Sequence, residues 1–457
     1  MKLPQSIKND PSWAAFLLAV LAVGFSMPLS RFFTVVCLVL TLLHRSAVQR
    51  KRFQLTAPIV GWLTYLTLAI IVSTIMAVRT PDTLLVPRKG LGKIFKLAWY
   101  FLIPLGVAQI NTRERLTTTL KTLVLGCAVT GLYVVLINPI AAWIQITLPT
   151  EAQIARNNLT AAQHLLLNFT NSIGLTHALN KWITSGYRAA SYQASLFKLG
   201  TMGDAQRLMV ALPTALCLSL EALRVHADRR YKLLSVITAI VVLLGLILTF
   251  KRGPLIFGLL VSFAILFRTI GFKALAIGAI VMLLAAAHPG VRMRFTQLPG
   301  EFSADKGGRW TMWTKIVPKL HEEHPWGIGF RSLTPEKMRQ LAPRVEQRQN
   351  HVHSTPLQAL VDFGWAGVIV YAGWMLAAII TALNSLRKSN SPSILRFAPL
   401  AMLCALILYG LMEYNLADAD VVLLYSLAMA MASFIYTAPD PNRDALPHSA
   451  KPQSPIP

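Results

Sequence analysis

Apolar runs of about 16–22 residues follow one another along nearly the whole chain, close to the roughly 20 that an α-helix rising 1.5 Å per residue needs to cross the hydrocarbon core of a membrane. Mean hydropathy is +0.52, with 54% hydrophobic and 14% charged residues, which lies outside the range of soluble globular chains. A membrane β-barrel would need alternating segments of about ten residues, whereas these runs are apolar on every side. The expected fold class is therefore an all-α polytopic membrane protein with about twelve transmembrane helices. The runs lie near 13–29, 31–44, 57–78, 92–110, 117–137, 207–223, 232–250, 254–268, 272–287, 356–383, 396–413 and 421–437. Met27-Pro-Leu-Ser30 is expected to turn the chain between the first two. No small-x-small cleavage site precedes the second run, so the first reads as a span and not a signal peptide.

Lys and Arg in short loops set the orientation. The clusters Arg45/Arg50/Lys51/Arg52, Arg113/Arg115, Arg224/Arg229/Arg230/Lys232, Arg268/Lys273 and Arg387/Lys388/Arg396 fall on one side of such a bundle, which is then the cytoplasmic side, with both termini inside. The two long segments, about 138–206 and 288–355, face outward, the second between spans nine and ten. Residues 1–437 form one integral membrane domain, and 438–457, rich in Pro, Ser and Asn, read as a disordered inward tail.

The net charge of +25 exceeds what inward loops need. The outward turn near 79–96 carries Arg79, Arg88, Lys89, Lys93 and Lys96 against Asp82, and 138–207 carries Arg156, Lys181, Arg188, Lys198 and Arg207 against Glu151 and Asp204. Segment 288–353 adds eleven Lys/Arg against six acids. Such an outward excess favours a polyanionic ligand such as a diphosphate or phosphorylated glycolipid. No nucleic-acid module accompanies the basic residues, so nucleic acid is not an expected partner. The four cysteines (Cys37, Cys127, Cys217, Cys404) lie inside apolar runs, where they pack rather than form disulfides or a metal site. No outward carboxylate pair has metal-ligand spacing; Glu301, Asp305, Glu322 and Glu323 read as solvated charges, and no metal or other cofactor is expected.

Three blocks hold residues suited to chemistry. In Thr249-Phe-Lys-Arg-Gly-Pro254, Arg252 sits at the outward hinge between two spans. It either snorkels to the interface or aims a planar guanidinium at a diphosphate, helped by the start of the next helix. In the second block, Arg309-Trp-Thr-Met-Trp313 places Trp310 and Trp313 on one face suited to the membrane interface, and Pro325-Trp-Gly-Ile-Gly329 is a turn in which Gly327 and Gly329 let backbone approach a ligand. In the third, His353 precedes a long apolar run, with Thr355 as a possible N-cap, Pro356 in the first turn, and Leu357, Leu360 and Gly364 along one face. A lone imidazole there is either a hydrogen-bonded interfacial residue or a base. The positive helix end and nearby Arg favour the neutral ring, able to accept a proton, with His351 as the competing candidate.

In this order and spacing, Lys251-Arg252-Gly253, Arg309-x-x-x-Trp313 with Pro325-x-Gly327-x-Gly329, and His353-Ser354-x-x-Leu357 with Gly364 resemble the O-antigen ligase and polymerase superfamily. The likeness covers about residues 245–370; elsewhere it is one of hydropathy profile. The family more often has Ser where Lys251 stands and Asn where Ser354 stands. The resemblance implies a GT-C-like, metal-independent membrane glycosyltransferase of the bacterial inner membrane with its active site facing the periplasm. Its donor is an undecaprenyl-diphosphate-linked O-antigen and its acceptor a sugar hydroxyl of lipid A–core oligosaccharide. His353 would act as base, with Arg252 and Arg309 stabilising the leaving diphosphate and some of Arg88, Lys89, Arg188 and Arg207 lining the site. Within the superfamily, an O-antigen polymerase or a protein O-oligosaccharyltransferase differs only in acceptor. From another class, a polyprenyl-lipid flippase would place charges at mid-membrane and show half-to-half symmetry, and neither is evident in this chain.

Overall fold

The computed structural model describes residues 10–43, 55–79, 84–147, 202–225, 227–287, 289–296, 299, 302, 307–345, 349–388, 393–416 and 418–437. It is all-helical, 84% helix, with no strand among the described residues. In chain order the helices are α1 (Pro11–Val23), α2 (Met27–Leu43), α3 (Ala57–Arg79), α4 (Pro87–Ala98), which runs through a 3-10 turn into α5 (Leu102–Gln109), and α6 (Arg113–Thr147). There follow α7 (Met202–Arg224), α8 (Arg229–Leu248), α9 (Arg252–Ile270), α10 (Lys273–Ala287) and α11 (Pro289–Thr296). The chain ends with α12 (Val317–Glu323), α13 (Pro335–Leu341), α14 (Thr355–Lys388), α15 (Ala398–Met412) and α16 (Ala419–Thr437).

Each of the twelve apolar runs is helical, but they divide into two lengths. Eight helices are long and apolar enough to cross a membrane, and four are shorter: Pro11–Val23, Met27–Leu43, Lys273–Ala287 and Val421–Ser433. Eight of the expected spans thus meet the length for crossing, and the four others are shorter apolar helices. The first turn is also moved: residues 24–26 reverse the chain, and Met27 already opens α2. Pro28 lacks an N–H that the first helical turn would leave unpaired anyway, so it starts the helix instead of breaking it. The basic cluster 45–52 and the tail 438–457 lie outside the described residues.

Lipid is as apolar as the helices, so their association rests on close packing and interhelical hydrogen bonds. At the centre, the buried Trp374 of α14 packs at a tilt against Tyr65 of α3 and edge-on against Tyr100, ring centroids 5.7 and 4.9 Å away. Trp62 Nε1 donates to Leu97 O (2.9 Å) and Tyr100 Oη to Leu416 O (3.1 Å), tying α3, α4 and the α15–α16 turn together. A second apolar cluster, containing Leu85, Met312, Ile316, Leu320, Ile328, Met338, Val352 and Val361, builds a small cap from the 309–345 segment on the first turns of α14.

Helix α14 is not continuous. Gly364 has φ 63° and ψ −159°, outside any helical basin, so the 355–363 turns meet the remainder across a break. A Cβ at this position would lie 2.3 Å from Pro325 O, which pins the cap loop to the break. Gly364→Ala is expected to cost about 1–3 kcal/mol through the backbone conformation alone, with the clash adding to it. Gly373→Ala, on the same helix with nothing within 4 Å, serves as the near-neutral control. Thermal midpoints of the purified variants in detergent measure this, and an unchanged midpoint for Gly364→Ala contradicts it.

Candidate functional site

The chemistry-bearing residues gather where the cap meets the ends of α7, α9, α14 and α15. The His loop, 349–354, is strapped in place from both sides. Trp313 Nε1 donates to Val352 O (2.8 Å), and Val352 N donates to Gln358 Oε1 (3.0 Å) on α14. Gln358 Nε2 in turn donates to Asp362 Oδ1 (2.8 Å), whose other oxygen accepts from Arg331 N (3.2 Å), so one buried polar chain fixes the His loop and the 325–332 loop together. Between these anchors the backbone takes φ 48° at His353, a left-handed conformation that is costly for a non-glycine residue and swings the ring away from its own helix.

That ring meets Glu413, just past the end of α15. His353 Nδ1 lies 2.5 Å from Glu413 Oε1, and His351 Nε2 lies 3.5 Å from the same oxygen. Arg309 Nη2 donates to Glu413 Oε2 at 3.1 Å. Burial pushes the Glu413 carboxyl upward, but the hydrogen bonds from His351 and His353 and the Arg309 charge outweigh it and hold the group well below the usual carboxylate range. Glu413 is therefore an anion that only accepts, so His353 Nδ1 carries the proton of the hydrogen bond between them. Burial, with the neighbouring His353 and Arg331, pushes the His351 imidazole below its ordinary value despite Glu413. His351, His353 and Glu413 present three donor atoms within 4.8 Å of one another, a spacing that fits one metal ion.

Arg252 opens α9 at the same end of the bundle. The neighbouring Gly253 rests on the Tyr409 ring, where a Cβ would come within 2.8 Å. Tyr409 precedes Glu413 by four residues on α15, about 6 Å along a helix axis. Tyr409 Oη also reaches Met202 Sδ (3.1 Å) at the start of α7, where Arg207 pairs with Asp204 at 2.8 Å.

The remaining expected residues are placed as follows. Arg88 and Lys89 are exposed on the first turn of α4. Arg188 lies outside the described residues. Gly327 and Gly329 both have φ 88°, as the turn requires, but the backbone they approach is the protein's own: Asp362 and Phe363 for Gly327, Ser73 for Gly329. Thr355 Oγ1 lies 3.0 Å from both Glu413 O and Asn415 Oδ1, so its one proton goes to either, and it accepts from Asn415 N (3.2 Å); it thereby helps hold the Glu413 turn. Trp310 is exposed while Trp313 packs on the His loop. The two do not share a face, because a π-turn over Met312–Ile316 changes the register just there.

Glu413 is the residue that sequence reasoning missed. The one available signal was an acid closing an 18-residue apolar run, at Leu411-Met-Glu-Tyr414. Asp362 was missed likewise, although an acid inside a membrane run is by default a candidate for a buried role. The expectation about carboxylates concerned an outward pair; the fold instead carries the single carboxylate of Glu413 to two imidazoles 60 and 62 positions away.

These features define a class: a polytopic α-helical membrane protein with a histidine, glutamate and arginine cluster where a small cap meets the bundle. Residues 237–372 match the family model described as O-antigen ligase, so this segment of the chain is similar to that family. The matched segment holds Arg252, Arg309, Gly327, Gly329, His351 and His353, whereas Glu413 lies beyond it. A comparison with curated proteins finds no match.

Proposed function

We propose that the protein is an O-antigen ligase of the bacterial inner membrane. It transfers polysaccharide from undecaprenyl diphosphate to a hydroxyl of lipid A–core on the periplasmic side, by metal-independent inverting glycosyl transfer in a GT-C-like fold. The observation that carries this reading is Glu413 bridging His353 and Arg309. His353 Nε2 takes the proton from the acceptor hydroxyl as its oxygen attacks the anomeric carbon. The bond from that carbon to the diphosphate oxygen breaks on the opposite face, which inverts the centre. Arg309 and Arg252 receive the negative charge that grows on the leaving diphosphate, a task that Mg²⁺ performs in many soluble transferases. Glu413 is a positioning residue: it sets the His353 tautomer and stabilises the imidazolium as it forms.

The apolar part of the donor has a berth of matching chemistry. A cavity of about 840 Å³ runs between α7, α8, α9 and α10, with Leu255 and Ile256 one turn from Arg252 and with Arg292 and Phe295 of α11 at the same end. A hydrocarbon tail fits the lining and a diphosphate fits the cationic end. Ala279→Trp, which fills this space from an exposed position on α10, is expected to displace about two methylenes of tail. At ~0.8 kcal/mol each that raises KM for the natural donor on the order of tenfold. A donor whose prenyl tail is too short to reach Ala279 should be transferred equally well by both forms. An unchanged KM for the long-chain donor contradicts this placement.

The central test is Glu413→Gln. The amide still fills the site and can still meet Arg309 or His353, but it cannot impose the tautomer or compensate the imidazolium. In transfer of labelled lipid-linked polysaccharide by purified protein, kcat should fall on the order of 10²-fold while KM for both substrates stays close to wild type. A Glu413→Gln enzyme with normal kcat contradicts the mechanism.

A further inference from the structure

We propose that His351, His353 and Glu413 form an inhibitory site for a borderline divalent transition metal such as Zn²⁺, which blocks transfer by occupying the nitrogen that the base needs for its hydrogen bond to Glu413. The donors are an imidazole Nε2, an imidazole Nδ1 and a carboxylate oxygen, a set that suits Zn²⁺ or Co²⁺ and not Mg²⁺ or Ca²⁺. At Zn–ligand bonds of ~2.0–2.1 Å, donors of a tetrahedral site stand about 3.3 Å apart. The observed separations from Glu413 Oε1 are 3.5 Å to His351 Nε2 and 2.5 Å to His353 Nδ1, and all three donors lie within 4.8 Å of one another. Bringing every pair of donors to that spacing asks for changes of up to about 1.5 Å in their separations, within reach of side-chain adjustment.

The surrounding partners are those of a supported ligand set. His351 Nδ1 lies 3.0 Å from Asn350 Oδ1, so when metal takes Nε2 the ring proton moves to Nδ1 and finds an acceptor there. Arg309 holds Glu413 Oε2, leaving Oε1 to the ion. The same guanidinium charge opposes a cation, which suits a reversible occupant and not a resident one. Three protein ligands leave the fourth position to water.

Inhibition follows from proton counting. A neutral imidazole carries one ring proton. When metal takes His353 Nδ1, that proton moves from Nδ1 to Nε2, and the atom that should accept the acceptor's proton becomes a donor. Metal binding itself is independent of the transfer chemistry, whereas the inhibition rests on the reading of His353 as base.

The full-length protein, stripped with chelator in detergent, is titrated with Co²⁺ while visible absorption is recorded, and Zn²⁺ is then added. One Co²⁺ per chain with the intense bands of low-coordinate geometry, displaced by Zn²⁺ and lost in His351→Ala and in Glu413→Gln, is the expected result. Both variants must remain monodisperse, and either suffices alone if the other does not. In the transfer assay Zn²⁺ should inhibit, EDTA should restore the full rate, and Mg²⁺ should do neither. Absence of Co²⁺ bands, bands that survive both substitutions, or full transfer with Zn²⁺ bound would each overturn the proposal. So would a rate that Zn²⁺ increases, because the ion would then be catalytic. If the chain transfers nothing under any condition, the ligase reading falls, and absence of the inhibited reaction overturns the inhibitory role while the Co²⁺ spectrum still judges the site.

Discussion

His353→Ala should lower glycosyl transfer on the order of 10²–10⁴-fold, the usual contribution of a positioned general base. The bundle should survive the change. His353 lies in the loop before α14, half-buried, and that loop is held by Trp313 and Gln358 through Val352 and not by the imidazole. Glu413 keeps Arg309 and gains access to His351, so no buried charge is left without compensation. His353→Gln sharpens the result, since its amide can still donate to Glu413 but cannot accept a proton in the reaction. Both variants should elute like wild type and retain its thermal midpoint. A folded variant with near-normal activity would remove His353 from the mechanism and pass the role to His351.

Arg309→Lys and Arg252→Lys should each lose on the order of 10²–10³-fold in transfer, the cost of removing one donor that stabilises transition-state charge. For Arg309 the reason is geometric. Its guanidinium donates through Nη2 to Glu413, and a planar fork can serve a carboxylate and a diphosphate oxygen together. An ammonium keeps the charge but has no planar fork to divide between the two. Arg252, on the first turn of α9, adds its charge to the helix's positive end. If either arginine merely snorkels to the interface, lysine performs as well, and near wild-type rates in both variants would sink the clamp.

How far this was legible in the sequence depended on the range of the interaction. Helix positions follow from runs of apolar residues, a local property, and each of the twelve runs is helical. Arg252, Arg309 and His353 were legible because each sits in a short block with its own turn or helix start beside it. Glu413 was not: nothing near Met412-Glu-Tyr414 refers to a histidine loop 60 residues earlier, and only packing of α14 against α15 brings them together. Range also explains the glycines. Gly327 and Gly329 announced a positive-φ turn, but not that its neighbour would be the α14 backbone. Gly364 read as one more residue on a helical face, because the close approach of Pro325 O to the break is a tertiary contact that no neighbouring residue announces. The left-handed φ of His353 and the π-turn at 312–316 are likewise tertiary features, with no residue type that requires them.

The account turns on a metal-free ligation by Arg252, Arg309, His353 and Glu413, and one reconstitution tests it. Purified protein in liposomes receives labelled undecaprenyl-diphosphate-linked polysaccharide and lipid A–core in excess EDTA. The prediction is label on lipid A–core at a rate that added Mg²⁺ does not raise. Longer lipid-linked polymer with no label on lipid A–core would make the chain a polymerase, and transfer that stops in EDTA and returns with Mg²⁺ or Mn²⁺ would contradict the arginine-based mechanism.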